Sequence, residues 1–200
     1  MKIRAEAMQA CSESVSSGMM TVLFGADSEL NNALSDAKEF CRKEGIEDPV
    51  CSIACYLFAG CKVVAGHTKA LDYIASNAGK YKLRKLSRLP VSGAFHTSLM
   101  RDAAEPFQTA LKKAEIRPPL IPILSNVDGQ RYSGPSDLIK KLPKQIYSPV
   151  KWQQLLQTVY NRKVGEGFPS TYECGPGSSL TSILRKNNAK AAKSCHVVSC

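Results

Sequence analysis

Several common functional signatures are missing from this chain. It has no apolar run approaching about 18 residues, which excludes an ordinary membrane-spanning helix. No Walker phosphate-binding pattern occurs, and Gly-x-Gly-x-x-Gly is never completed, so the usual nucleotide cradles are not spelled out. No two glycines stand four apart around a serine, so the Gly-x-Ser-x-Gly nucleophile elbow is absent from these residues. None of the eight cysteines (Cys11, Cys41, Cys51, Cys55, Cys61, Cys174, Cys195 and Cys200) forms a Cys-x-x-Cys pair. Only three histidines could serve as co-ligands, and no metal site is expected. The cysteines therefore read as reduced and mostly buried, in a cytosolic or organellar compartment. The first nine residues are amphipathic and lack the long apolar core of a secretory signal.

What is present belongs to a folded chain. Hydrophobic residues make up 44% and charged residues 22%, close to the globular average. At 200 residues the chain can bury a core as one large domain or two small ones. The net charge is +10, from 27 Lys+Arg against 17 Asp+Glu, which favours an anionic partner. That partner is not expected to be nucleic acid, because the aromatic pattern of an RNA-binding sheet is absent. The densest basic stretch, residues 80–88, reads as an edge strand protected by Lys and Arg. Its functional alternative is a docking surface for an acidic partner.

Residues 19–24 read as a strand. Ser28 is expected to cap a helix running to about Lys43, with Leu30, Leu34, Ala37 and Cys41 at helical spacing and Gly45 as its stop. Residues 50–56 and 62–65 read as strands, Thr68 as the cap of a short helix, and residues 82–86 as a further strand. The order βαββαβ is the ferredoxin-like pattern, over about residues 15–90. Beyond it, residues 98–114 form a helical pattern that Pro106 kinks or restarts. Residues 121–127 read as a strand, 136–142 as a short helix broken at Pro143, and 149–160 as a longer helix. Residues 171–174 and 194–198 read as strands flanking a helix capped by Ser178 or Ser179. Alternating β and α here predicts a parallel sheet with helices on its faces.

The stretch Gly93-Ala94-Phe95-His96-Thr97-Ser98-Leu99-Met100 places a histidine between a strand and a helix, where an α/β enzyme keeps a general base. Such a histidine usually activates a Ser or Cys nucleophile. His67 and His196 read as structural. Glu173-Cys174-Gly175-Pro176-Gly177 is an anion-friendly strand-to-helix turn, best read as a tight turn only. Arg4 shares a helix face with Met8, and an arginine can bind a carboxylate through two parallel hydrogen bonds. Gln145 by itself says little.

Together these pieces resemble the malonyl-CoA:acyl-carrier-protein transacylases, most closely the mitochondrial type of animals. The resemblance is carried by the residues from Lys2 to Gln9, from Leu89 to Thr97, Ser125-Asn126-Val127, Ser148-Pro149-Val150-Lys151-Trp152, Gly167-Phe168-Pro169 and Gly175-Pro176-Gly177, in the family's order. It implies an α/β fold: a partial α/β-hydrolase-like acyltransferase subdomain at residues 1–14 and 91–200, with an inserted ferredoxin-like βαββαβ subdomain at 15–90. It implies ping-pong transfer of a malonyl group from malonyl-CoA to the phosphopantetheine thiol of acyl carrier protein, through a serine and a histidine. His96 matches the histidine, and Gln145 the residue whose backbone carbonyl holds its tautomer. Arg4 matches the arginine that pairs with the malonyl carboxylate, Met8 lines the same pocket, and Phe95 resembles the pattern of malonyl-selective members. No cofactor is implied, since malonyl-CoA and the carrier protein are substrates, and the location implied is mitochondrial.

The same resemblance places the family's elbow serine and oxyanion loop upstream of residue 1. The 200 residues alone are then expected to be inactive, and the strands near Ile121, Thr171 and Ser194 to carry an unpaired, aggregation-prone edge. The alternative is a non-catalytic acyltransferase-like module that binds carrier protein or CoA. In the family's pocket strand, Cys55 to Cys61 replaces the amides of bacterial members, so those contacts do not carry over.

Overall fold

A computed structural model describes residues 1–163 and 165–199. Cys200, one of the cysteines read as reduced, lies outside the described residues. Helix α1 spans Lys2–Ser14 and leads into strand β1, Ser17–Leu23. Helix α2 (Leu30–Lys43), β2 (Cys51–Phe58), β3 (Cys61–His67), α3 (Thr68–Ser76) and β4 (Lys85–Arg88) follow. The four strands form one sheet in the order β2-β3-β1-β4, every neighbouring pair antiparallel. The βαββαβ order expected from the sequence is thus present.

Side chains alternate across a strand, and this sheet buries both of its faces. Met20 and Val22 of β1 and Val64 of β3 point toward α2 and α3, where Ala33, Ala37, Cys41, Leu71 and Ile74 complete the main core. Met19 of β1 with Val63 and Ala65 of β3 point the other way, against Ala94, Phe95 and Leu99. The second face is what matters for function, because it is the floor beneath the His96 stretch. Tight spots are set by glycine: Gly60 turns the β2–β3 hairpin at φ +83°, which L side chains rarely adopt.

Of the basic stretch only Lys85–Arg88 forms the edge strand, β4, and residues 80–84 are the turn leading into it. Several of the basic side chains there are paired with acids: Lys80 with Asp36 at 3.1 Å, Arg84 with Asp27 at 4.0 Å, and Arg88 with Asp72. Two expected caps are corrected. Ser28 donates to the Lys82 carbonyl at 2.5 Å instead of capping α2, which starts at Leu30 after Glu29. Thr68 accepts from Ser16 at 3.1 Å, and His67 stands at the cap position of α3 without a side-chain capping bond to that helix.

After β4 a 3-10 turn, Ser98–Ala103, passes into α4, Ala104–Lys113, so Pro106 falls in the first turn of a restarted helix. The expected strand at residues 121–127 is not formed. Among the described residues its apolar run meets no partner strand and folds back on itself, with one isolated Leu124–Arg131 bridge and the Tyr132 N–H donating to the Ile123 carbonyl at 3.0 Å. Nor does Pro143 break its helix: α5 runs from Pro135 to Tyr147 with Pro143 inside and buried, packing offsetting the lost backbone bond. Helix α6 (Trp152–Tyr160), β5 (Thr171–Cys174), α7 (Ser179–Asn187), a 3-10 turn (Ala191–Ser194) and β6 (Cys195–Val198) complete the chain. Strands β5 and β6 pair in parallel, as the alternating pattern predicts.

Two regions of chain are tied together at the edge of the four-stranded sheet. Val150 bridges Cys55 in parallel, taking a bond from its own N–H to the Ala54 carbonyl at 2.8 Å and accepting from the Tyr56 N–H at 2.9 Å. The clamp fixes the segment that leaves α5. Cys11, Cys41, Cys51, Cys55, Cys61, Cys174 and Cys195 are free thiols, and burial pushes Cys51 up to about 12 and Cys55 to about 11. At those values the two thiols stay protonated and unreactive. No described helix is long and apolar enough to cross a membrane.

Candidate active site

The His96 loop is pinned from β1. The Leu89 N–H donates to the Met19 carbonyl at 3.0 Å, and the Ala94 N–H to the Ser17 hydroxyl at 3.2 Å. Gly93 leaves no room for a side chain, because a Cβ there would strike the Ser12 side chain of α1. Thr97 is buried and donates to the Ala94 carbonyl at 2.7 Å, closing the turn. Within this turn His96 adopts φ +63°, a left-handed conformation that is uncommon outside glycine. Strain of this kind is held only where the surroundings over-determine it.

The end of α5 supplies what holds it. The last carbonyls of a helix lack intrahelical partners. Two of them receive His96: the Ile146 carbonyl accepts its backbone N–H at 3.1 Å, and the Gln145 carbonyl accepts Nδ1–H at 2.8 Å. The tautomer is set by that second bond, leaving the Nε2 lone pair free to accept a proton. Burial lowers the imidazole pKa below its ordinary 6.5, the Gln145 carbonyl opposes this, and the charge of Arg4 adds to the lowering. His96 is therefore neutral at physiological pH, as a base must be.

Arg4 reaches the same residue from α1. Its Nη2 donates to the Gln145 side-chain oxygen at 3.0 Å, across 141 positions of sequence. Gln145 thus contacts both other polar members of the site, one through its carbonyl and one through its amide. Met8 and Phe95 pack on the cluster formed by Cys11, Met100, Ala103 and Ile146, beside Phe107 and Tyr147. All five residues singled out from sequence converge here. The side-chain role of Gln145 was not foreseen, nor was the Ile146 carbonyl. The available signal was Pro149 two residues past the helix end, which marks where free carbonyls lie.

The remaining candidates stay apart. His67 Nδ1 accepts the Val50 N–H at 3.0 Å, which is turn chemistry. His196 stacks on Tyr172 on the exposed face of β6. The turn after β5 holds no vacancy for an anion, because Glu173 fills it. Its carboxylate accepts from the Leu180 N–H, the Thr181 N–H and the Thr181 hydroxyl at 2.8, 2.7 and 2.6 Å, doing the capping expected of Ser178 or Ser179. A cleft of about 610 Å³ between α6 and α7 is lined by Gln153, Gln157, Asn161 and Asn187 among others, and none of Arg4, His96 or Gln145 borders it.

A neutral histidine with a fixed tautomer beside an arginine is the arrangement for deprotonating a nucleophile near an anionic group. The chain is similar to acyl carrier protein transacylases. It is 48% identical over 197 residues to the mitochondrial malonyl-CoA-acyl carrier protein transacylase of Homo sapiens, covering 98% of this chain and 50% of that protein. The chain is a close homologue of these transacylases. The Mus musculus counterpart is also 48% identical, over 96% of this chain and 51% of its own length. The chain thus spans about half the length of the curated relatives it matches. A Vibrio cholerae acyl carrier protein S-malonyltransferase superposes with a TM-score of 0.81 over 99% of this chain and 60% of that one, at 24% identity. It shows the mixed α/β fold that the chain shares with such transferases. No family model matches the chain.

Proposed function

We propose that these residues supply the base and the carboxylate-binding cation of a malonyl transferase site, acting on malonyl-CoA and acyl carrier protein in mitochondria. The observation that carries this is the double use of Gln145, which sets His96 and Arg4 side by side. Support for the activity comes from the homologous transacylases, and for the location from the mitochondrial relatives. In this reading an elbow serine gives its proton to His96 Nε2 while its oxygen attacks the malonyl thioester. The C–S bond breaks, and the CoA sulfur leaves with the proton from His96. The carrier's phosphopantetheine thiol then gives its proton to His96 and attacks the malonyl-serine ester, and the serine oxygen departs with that proton. Arg4 pairs with the malonyl carboxylate throughout and discriminates against neutral acyl groups. Met8 and Phe95 form the apolar wall.

Residues 15–90 are, in the same proposal, a ferredoxin-like subdomain inserted into a hydrolase-like one at 1–14 and 91–200; the βαββαβ order and the parallel β5–β6 pair favour this division. The 200 residues spell no elbow serine, so the isolated chain is expected to bind malonyl-CoA in preference to acetyl-CoA without transferring it. Calorimetric titration of both thioesters tests the reading. A chain that binds them alike, or whose preference survives Arg4→Ala, overturns it.

A further inference from the structure

The transfer chemistry uses the backbone carbonyl of Gln145 and leaves its side chain without a task. That side chain is half-buried, at the last turn of α5, and its oxygen accepts from Arg4 Nη2 at 3.0 Å. Arg4 itself sits in the first turn of α1 between the exposed Ile3 and Ala5. An unanchored arginine there would sample many rotamers, and each immobilised long side chain costs free energy on binding. Among the described residues Arg4 makes no ion pair, unlike Arg42, Arg84, Arg88 and Arg117. Its charge is held in place without being neutralised.

We propose that the Gln145 side-chain amide is a positioning residue for Arg4, and through it a determinant of selectivity for carboxylate-bearing acyl groups. The proposal rests on Arg4 being the carboxylate-binding cation. An arginine carries five N–H donors in a rigid fork. Gln145 takes one of them, which fixes the guanidinium plane and leaves the others for a bidentate carboxylate. A neutral amide suits this better than either alternative. An apolar side chain would not hold the fork, and a carboxylate would hold it too well, because charge-assisted bonds are roughly twice as strong as neutral ones. Substitution at this position removes only the side chain, so the carbonyl that holds His96 remains.

The test uses the full 200-residue chain with malonyl-CoA and acetyl-CoA as probes, and nitrogen-15 NMR of the arginine side chains and the His96 ring. Gln145→Leu is expected to weaken malonyl-CoA binding about fivefold, the scale of one freed side chain, with acetyl-CoA unchanged. Gln145→Glu is expected to weaken malonyl-CoA further, about tenfold or more, by pairing Arg4 internally. The Arg4 Nε–H signal should lose its ordered shift in Gln145→Leu, while the His96 ring nitrogens keep theirs. Gln145→Asn, which keeps the amide but falls one methylene short, should behave like Gln145→Leu and serves if the latter unfolds. An Arg4 signal unchanged in the Leu or Asn variant overturns the proposal, whether or not ligand binds. Equal weakening of both thioesters overturns it too. If Arg4→Ala abolishes the malonyl preference while the Gln145 variants keep it, only this proposal fails. If Arg4→Ala leaves the preference intact, the reading of the site fails with it.

Discussion

In the four-stranded unit Val22, Ala33, Ala37, Cys41, Leu71 and Ile74 are completely buried, and Phe40 is the only large apolar side chain of residues 15–90 left exposed. In the stretch after residue 90, α4 buries no residue, and Leu120, Ile121, Tyr172, Leu180, Val197 and Val198 are exposed, Leu120 fully. A two-stranded parallel sheet with apolar faces open to water is unusual, since parallel sheets are normally covered on both sides. The contrast teaches where this chain keeps its rigidity. The first unit closes its own core and offers its second face as a floor for the His96 loop. The second region supplies Gln145, beside the fully buried Ile146 and just ahead of the Val150 clamp.

The sharpest way to break this comparison is Leu71→Ala. It removes a fully buried side chain and should cost about 3 kcal/mol. Denaturant unfolding followed at two probes should show this loss only in a later transition belonging to the four-stranded unit, with Trp152 reporting an earlier one unshifted. One common transition, moving as a whole, would show that the regions fold as one.

Next in size is Glu173→Gln, directed at the other region. The Thr181 hydroxyl holds the Glu173 carboxyl below its ordinary 4.5, against burial, and the Leu180 and Thr181 N–H groups add to the lowering. A depressed carboxyl stabilises the fold above its unfolded pKa, and that contribution is lost as pH falls through the folded value. The earlier transition should therefore weaken on acidification below about 4.5 in the native chain. In Glu173→Gln it should start weaker and lose that pH dependence, while the transition of the four-stranded unit stays put. Circular dichroism across an acid series reads both.

The same division explains what could be read from sequence. The βαββαβ order was legible because its first helix carries a clear period of 3.6, as in Leu30–Leu34–Ala37–Cys41, while its first strand is a short apolar run whose residues Met19, Met20 and Val22 serve both buried faces of the sheet. Residues 121–127 have the β-branched composition of a strand, but a strand needs a partner to pair with, and here the chain turns back between Ile123 and Tyr132 instead. Pro143 looked like a helix breaker because a local rule cannot see that the ring is buried by distant packing. At the site, His96 stood out by its position before a helix. Its partner lies 49 residues on, and Arg4 meets Gln145 across 141. Pro149 marks locally where the free carbonyls lie, but nothing local says which residues they meet, and the family resemblance is what pointed to Gln145.

A smaller effect sharpens the link between the regions at His96. Arg4→Ala removes one of the two influences that lower the imidazole pKa, while burial, the larger, remains. The titration midpoint of the His96 ring protons should rise on substitution yet stay below 6.5. Base function would then fade at a higher pH than in the native chain, as acid protonates Nε2. A midpoint that does not move places Arg4 too far from the ring for the shared Gln145 anchor to matter.

The smallest expected change in stability comes from Leu120→Ser. Leu120 is fully exposed and the run it opens pairs with no strand among the described residues, so its loss should alter unfolding by no more than about 0.5 kcal/mol. Its effect should appear in solution behaviour. Ile121, Ile123, Tyr172, Val197 and Val198 leave more apolar surface exposed in this half of the molecule, and exposed apolar patches drive association. Light scattering over a concentration series should show less self-association in Leu120→Ser than in the native chain, whereas Phe40→Ser, on the well-packed unit, should change it little. If the Phe40 substitution relieves association more, the exposed surface that governs this chain lies on the four-stranded unit, and the contrast between the two regions is reversed.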